Sequence, residues 1–218
     1  MLLPLSLLIV AYVLGSIPFS FLVVKLVAGK DIRLQGSRNV GATNVARTVG
    51  KLPGIIALLL DVAKGWGAVM LARAVVNMEA WPFHAGLQPW QSRELWISLA
   101  GLVAVLGHMF PVWLRFHGGK GVATATGIFL GLEPIIVAAA ILVFAIVLLA
   151  TRYVSLASMV SAASIPVFFR FLLDGAPFWR IVVSIIVAIV VILKHHENIA
   201  RLVQGTERKL GQKKEEQR

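Results

Sequence analysis

The sequence predicts an all-α polytopic membrane protein: a bundle of seven transmembrane helices, N-terminus outside and C-terminus cytoplasmic, with a short fourth helix. Three observations predict it. Of the 218 residues, 58% are hydrophobic and 14% charged, and the mean hydropathy is +0.85, outside the range of soluble domains. Apolar runs of about 20 residues, the length that crosses a hydrocarbon core of roughly 30 Å, recur from one end of the chain to the other. Basic residues then collect on alternate connections, the bias that marks cytoplasmic loops. The absence of cysteine excludes disulfide frameworks, thiolate metal sites and cysteine nucleophiles. In so apolar a chain the net charge of +11 is read as membrane topology, with no nucleic-acid partner.

The first span, 2–24, runs from Leu2 to Val24 and ends at Lys25; without a basic leader or a cleavage site it reads as a retained helix rather than a signal peptide. The second, 52–72, is interrupted by Asp61 and Lys64, and the third covers 95–114. From Val122 to Ala150 the chain forms either one long helix or two split at Gly131-Leu132-Glu133-Pro134, where proline and the residue before it favour a break. Charge decides between them. With the split, one face of the membrane carries sixteen Lys and Arg and the other only Arg73, Arg93, Arg170 and Arg180; without it the tally is ten against ten. The remaining spans are therefore 122–132, 135–150, 154–173 and 178–193, in a single membrane domain 1–218 with a solvated basic tail at 208–218. Eleven residues cannot cross a bilayer alone. A short helix that begins in a glycine-rich loop at membrane depth is tolerated where it lines a cavity, so 122–132 points to a site.

The outer loop, 77–94, carries Trp81 and Trp90 as interfacial anchors and is assigned no chemistry; His84 within it reads as a solvated loop histidine. Three inner segments differ from it in gathering glycine, small polar donors and basic groups. The first, Gln35 to Arg47, offers Ser37, Asn39, Thr43, Asn44 and Arg47, a set of neutral donors and arginine suited to an oxygen-rich anion; a solvated positive-inside loop is the alternative. The second joins Gly107-His108 to His117-Gly118-Gly119-Lys120-Gly121, immediately before the short helix. Consecutive glycines let backbone N–H groups converge on an anion, the helix N-terminus adds its dipole and Lys120 a full charge. It is not a Walker A loop, because Gly121 follows the lysine.

The third segment, Lys194 to Glu207, places His195, Asn198 and Arg201 at helical spacing. Ala200 stands where a zinc-protease HExxH would need its second histidine, so no metal is expected. Asp61 and Lys64, three residues apart within a span, face the bundle interior as structural glue or as a substrate contact. Ser155 and Ser158, at the start of the sixth span, add hydroxyls on the inner side or bond within their helix.

Taken in order, GSRNVGATNVAR, GHMFPVWLRFHGGKGVAT and HHENIARLVQGTE resemble the three motifs of the bacterial membrane glycerol-3-phosphate acyltransferases that use acyl phosphate as donor. Asp61 to Gly65 and Tyr153 to Ser158 extend the resemblance over nearly the whole chain. It implies transfer of a fatty acyl group to the 1-hydroxyl of glycerol 3-phosphate, giving 1-acylglycerol 3-phosphate and phosphate in the first acylation of phospholipid synthesis. It further implies a multi-pass protein of the bacterial cytoplasmic membrane, functional as a monomer among membrane lipids, with no cofactor and with its active site facing the cytoplasm. Ser37 and Arg47 then belong to the essential set of the first motif, and Gly118, Gly119, Lys120 and Gly121 hold glycerol 3-phosphate. His195, Asn198 and Glu207 are the functional or structural residues of the third motif, with Arg201, Asp61 and Lys64 in support.

An acyl phosphate is already activated, so no enzyme nucleophile is needed. The proton acceptor is His195, His108 or a substrate phosphate. The family often has lysine before GGKG, where this chain has His117, and the outer loop is longer than the family needs. A phosphate transporter is the rival from another class; it predicts internal symmetry, yet all three polar segments lie on one side.

Overall fold

The structure, a computed structural model, describes residues 2–83 and 88–212. His84 and the end of the tail, 213–218, lie outside the described residues. Among the described residues all regular structure is helical: α1 (Leu2–Ser16), α2 (Phe19–Ala28), α3 (Ala42–Thr48), α4 (Lys51–Val76), α5 (Arg93–Met109), α6 (Val122–Leu132), α7 (Pro134–Thr151), α8 (Val154–Phe171), α9 (Phe178–Lys194) and α10 (His196–Val203). Five segments are long and apolar enough to span a membrane: Leu2–Ala28, Lys51–Val76, Arg93–Leu114, Pro134–Thr151 and Val154–Phe171. The pair α9 and α10, bent by 58°, makes a sixth candidate, and α6 is a shorter apolar helix.

The first span differs from its sequence reading in two ways. It continues to Ala28, where Gly29 closes it in the left-handed region at φ 66°, and it is broken at Ile17-Pro18 because proline has no N–H to continue the ladder. The third ends as α-helix at Met109, and the turn Val112–Leu114 carries it on. The chain breaks between Leu132 and Pro134, with Pro134 opening α7 where a missing N–H costs nothing.

Small residues let the helices meet backbone to backbone. Gly107 lies against the Tyr12 carbonyl and brings α5 onto α1. On the seam of α4 with α6, Gly65 faces the Thr124 carbonyl and Gly127 the Val62 carbonyl, leaving no room for a Cβ at either. Helix α5 is central, packed by α1, α4, α6 and α9, while α7, α8 and α9 follow one another around the bundle. Helix α4 has no packed seam with α7 or α8, and residues of all three line a single cleft between them.

The free C-terminus of α6 is satisfied by two arginines: the Leu132 carbonyl accepts from Arg73 at 3.1 Å and from Arg180 at 3.3 Å. Arg180 also pairs with Glu94 at 2.8 Å and with Glu133. The start of the tail is exposed but tied to the bundle through its backbone. Arg152, left-handed at φ 63° between α7 and α8, accepts from the Leu210 N–H at 2.7 Å and donates to the Leu210 carbonyl at 2.8 Å.

Candidate active site

The first inner segment is shaped by one buried side chain. Asn44, at the start of α3, donates through Nδ2 to the Gln35 and Asn39 carbonyls, both at 3.0 Å, and accepts from the Ser37 N–H at 3.0 Å. Its amide is engaged in folding the loop, although the residue stays on the cleft wall. Ser37, Asn39, Thr43 and Arg47 are left on the cleft side. Arg47 is held below the ordinary guanidinium range by partial burial and by Arg208 and Arg201, with Glu207 opposing.

The second segment folds differently from the glycine cradle that its sequence suggests. The Gly118 N–H donates to the Met109 carbonyl and the Gly119 N–H to the His108 carbonyl, both at 3.2 Å, so neither points at an anion. Glycine is needed there for room: a Cβ on Gly118 would strike the His108 carbonyl and Pro111, and one on Gly119 the His108 ring and the Val40 carbonyl. Gly119 consequently lies behind the cleft rather than on its wall. Gly121, left-handed at φ 83°, starts α6. The donors that remain near Lys120 are the N–H groups of the first turn of α6, unpaired as in any helix N-terminus.

The third segment bends at His195, and the bend swings α10 across the cleft. Lys120 Nζ donates to Asn198 Oδ1. Asn198 Nδ2 donates to Glu207 Oε1 at 2.6 Å, as does Ser155 Oγ at 2.6 Å, and Arg201 Nε donates to Glu207 Oε2 at 2.7 Å. One carboxylate thereby ties the start of α8 and two turns of α10 to Lys120. Burial opposes ionisation of Glu207, but its bonds from Ser155, Arg201 and Asn198 hold it below the usual carboxylate range. Lys120 is pushed down to about 8, first by burial and then by Arg201, against the pull of Glu207 and Glu197.

His195 is buried, with Nδ1 2.7 Å from the Val191 carbonyl. A carbonyl only accepts, so Nδ1 carries the proton and Nε2 keeps its lone pair. Burial, reinforced by Lys120 and opposed by the Val191 bond and Glu207, pushes the imidazole to about 4. It is neutral at pH 7.

All three segments line one open cleft of about 1630 Å³, together with His108, Ser155 and Asp61. Lys64 is not on its wall. Among the basic residues on its wall that the sequence reading did not assign are Lys194, whose Nζ lies 4.6 Å from the centre of the Phe110 ring, and Arg208. Polar clustering in an apolar chain marked the neighbourhood of both without distinguishing them. The cleft has an apolar wing in the gap between α4 and α7–α8, walled by Ile55, Leu58, Phe144 and Val154. Leu58 and Phe144 each stand seven residues inside the inner ends of their helices, a depth of about 10 Å at 1.5 Å per residue. No group of His, Asp and Glu arranged to hold a metal occurs among the described residues.

The chain is thus a helical integral membrane protein whose cleft combines basic groups, a helix N-terminus, a neutral histidine and an apolar wing. The family model for glycerol-3-phosphate acyltransferase matches residues 5–205, and the chain belongs to that family. The glycerol-3-phosphate acyltransferase of Geotalea daltonii is 47% identical over 201 residues, covering 92% of this chain and 94% of that protein. That of Bordetella pertussis is 42% identical over 212 residues, covering 96% and 93%. Among solved structures, the glycerol 3-phosphate form of PlsY (YgiH), an integral membrane glycerol 3-phosphate acyltransferase, superposes with a TM-score of 0.83 at 38% identity, over 95% of this chain and 96% of that one. Its lysophosphatidic acid form gives 0.81 at 36% identity, over 95% of each chain.

Proposed function

We propose that this chain transfers a fatty acyl group from acyl phosphate to the 1-hydroxyl of glycerol 3-phosphate, giving 1-acylglycerol 3-phosphate and inorganic phosphate, as the first acylation of phospholipid synthesis. The protein works as a monomer in the bacterial cytoplasmic membrane, with seven spans, N-terminus outside and the cleft facing the cytoplasm. The observation that carries this reading is the meeting of all three inner segments in one cleft that is cationic at its rim and apolar at its lateral wing. The two phosphates sit at the rim beside Arg47, Lys120 and the N-terminus of α6. The acyl chain lies in the gap between α4 and α7–α8, so an amphipathic donor enters from the bilayer.

In the reaction the acceptor hydroxyl oxygen bonds to the acyl carbon, the bond from that carbon to the phosphate oxygen breaks, and phosphate leaves with the electron pair. Holding the two anions side by side replaces a bimolecular encounter by an oriented one. His195 Nε2 is the favoured proton acceptor because its tautomer leaves the lone pair free; His108 and a substrate phosphate are the other two. Asn198, fixed between Lys120 and Glu207, orients the reactants. Ser37 and Ser155 supply hydroxyls on the cleft wall.

The test is phosphate release by the detergent-purified protein given palmitoyl phosphate with and without glycerol 3-phosphate, with lipid analysis and a Lys120→Ala control. Acceptor-dependent release with lysophosphatidic acid formed, weakened in the control, is expected. Absence of product across acyl-chain lengths would defeat the reading and redirect attention to phosphate uptake in liposomes.

A further inference from the structure

Behind the Gly118–Lys120 turn lies a cluster of buried ionisable groups of which the chemistry above names only His108, as an alternative base. Asp61 and Lys64 of α4 are 1% and 3% exposed and paired at 2.8 Å. Lys64 Nζ also donates at 2.8 Å to the Ile17 carbonyl, at the Pro18 break of the first span. Ser20 Oγ, just beyond that break, donates to Asp61 Oδ2 at 3.2 Å. His108 of α5, 7% exposed, brings Nδ1 to 3.5 Å from the Asp61 Oδ1 that Lys64 contacts. A cavity of about 10 Å³ adjoins the cluster, and Asp61, His108 and Gly118 line both it and the main cleft. These residues form the partition between the two.

Stability alone is a poor account of this cluster. Replacing a buried ion pair by apolar side chains is commonly neutral or stabilising. Helix glue would require only Asp61, Lys64 and Ser20. It would not require an imidazole aimed at the same carboxylate, nor a glycine turn seated on that imidazole. His108 carries the turn in two ways: its carbonyl accepts the Gly119 N–H at 3.2 Å, and its ring edge at Nε2 fills the space where a Gly119 Cβ would lie. Asp61 faces the ring from behind, its Oδ1 at 3.5 Å from Nδ1 and without a hydrogen bond of its own among the described residues, and the next residue after Gly119 is Lys120.

We propose that Asp61, acting through the imidazole of His108, is a positioning residue for Lys120 and the N-terminus of α6. The carboxylate sets the ring, the ring seats the Gly118–Gly119 turn, and the turn aims the Lys120 ammonium at the phosphate of the acceptor. Lys64 balances the charge and couples it to the break in the first span. The inference rests on the function proposed above for the identity of that phosphate.

The test uses the full chain in detergent. Asp61→Asn alone would strand the Lys64 ammonium and could unfold the bundle, so the informative variant is Asp61→Asn/Lys64→Gln, which removes both charges together. It is compared with His108→Asn and with the triple variant, by acceptor KM, donor KM, kcat and unfolding midpoint, and by calorimetric titration with glycerol 3-phosphate. Loss of an orienting outer partner commonly costs tenfold or more, so the double variant should raise acceptor KM and the calorimetric Kd about tenfold. Donor KM and the unfolding midpoint should stay at wild-type values, and His108→Asn should add nothing on that background. Wild-type acceptor affinity in the double variant would overturn the proposal. So would parallel losses in both KM values and the midpoint, or additive effects of the Asp61 and His108 changes. Wild-type turnover separately tests the proposed function, because the calorimetric arm reads positioning even where turnover is absent. A wild-type protein that binds no glycerol 3-phosphate would sink both.

Discussion

Replacing Lys120 by Arg keeps a cation beside the N-terminus of α6 but changes the pH at which it is lost. Burial, followed by the nearby charge of Arg201, brings Lys120 down to about 8 from its ordinary 10.5. An ammonium with that value is about nine-tenths protonated at pH 7 and about one-tenth at pH 9. If the charged form holds the acceptor phosphate, kcat/KM for glycerol 3-phosphate falls about tenfold over that interval in the wild-type enzyme. A guanidinium stays charged throughout. The Lys120→Arg enzyme, whatever its absolute rate, should lack this alkaline limb. His195, at about 4, is neutral across the whole range and contributes no limb there. The second ionisation of the substrate phosphates, near about 6, is common to both enzymes and cancels in their ratio. The assay is phosphate release at saturating palmitoyl phosphate and limiting glycerol 3-phosphate from about pH 6.5 to 9.5. Superimposable alkaline limbs in the two enzymes would refute the assignment of charge to Lys120. Arg201→Gln, which removes a group that lowers the Lys120 value, should shift the wild-type limb upward.

Three further outcomes are expected. His195→Gln should cut kcat by about 10²- to 10⁴-fold, the usual range for a lost general base, with glycerol 3-phosphate binding retained by calorimetry; near-wild-type turnover would end its assigned role. Glu207→Gln replaces a charge-assisted acceptor of three hydrogen bonds and should cost about 1.5–3 kcal/mol, read as a lower kcat with a lower unfolding midpoint. Because Glu207 is held below its ordinary range, the contribution of the wild-type carboxylate should be fully present above the ordinary value and fade only as pH falls through the depressed one. Arg180→Leu leaves Glu94 and Glu133 unpaired and should destabilise the bundle by about 3 kcal/mol, the lower end for a broken buried pair because both carboxylates are partly exposed, with the midpoint in detergent as the readout.

Much of the fold was legible because membrane sequences obey few rules strictly. Pro134 ends one helix and begins another because it has no N–H to give, and charge placement independently required the same break. The three inner segments were legible because glycine and polar groups are costly to keep in a chain this apolar, and the structure gathers them at one cleft. What sequence could not tell was direction. Consecutive glycines allow N–H groups to converge on a ligand, and equally allow a neighbouring backbone to come close; at Gly118 and Gly119 the second use prevails. Asn44 is chemically a good anion donor, but only tertiary placement reveals that Gln35, Asn39 and Ser37 already occupy it. The tail is exposed as its composition suggests, but the bonding of Leu210 to Arg152 is a pairing with no periodic signature. The lateral wing is a seam that does not exist, between α4 and α7–α8, and a missing contact leaves no trace in a hydropathy pattern.

The shortness of α6 ties the outer half of the bundle to the inner half. Eleven residues rise about 16 Å, little more than half of a hydrocarbon core of roughly 30 Å, so its two ends cannot both reach water. The end that does not reach water or a cleft must be satisfied by protein. At the C-terminal end, Arg73 and Arg180 donate to the Leu132 carbonyl, and Glu94 and Glu133 in turn hold Arg180. At the N-terminal end no such side-chain cap is present, and the first-turn N–H groups face a cleft together with Lys120. The asymmetry has a consequence for function. A helix capped at one end by two arginines, Arg180 buried and Arg73 half-buried, and seated along α4 at Gly65 and Gly127 cannot slide to relieve its uncapped end. On the proposed reaction, its dipole and Lys120 are thereby held where the donor headgroup would meet the acceptor. Weakening the outer cap should therefore reach the chemistry. In Arg180→Leu, acceptor KM is expected to rise even in preparations whose fold survives, although Arg180 and the cleft share no residue contact, whereas a purely local role for the outer cap would leave acceptor KM at its wild-type value.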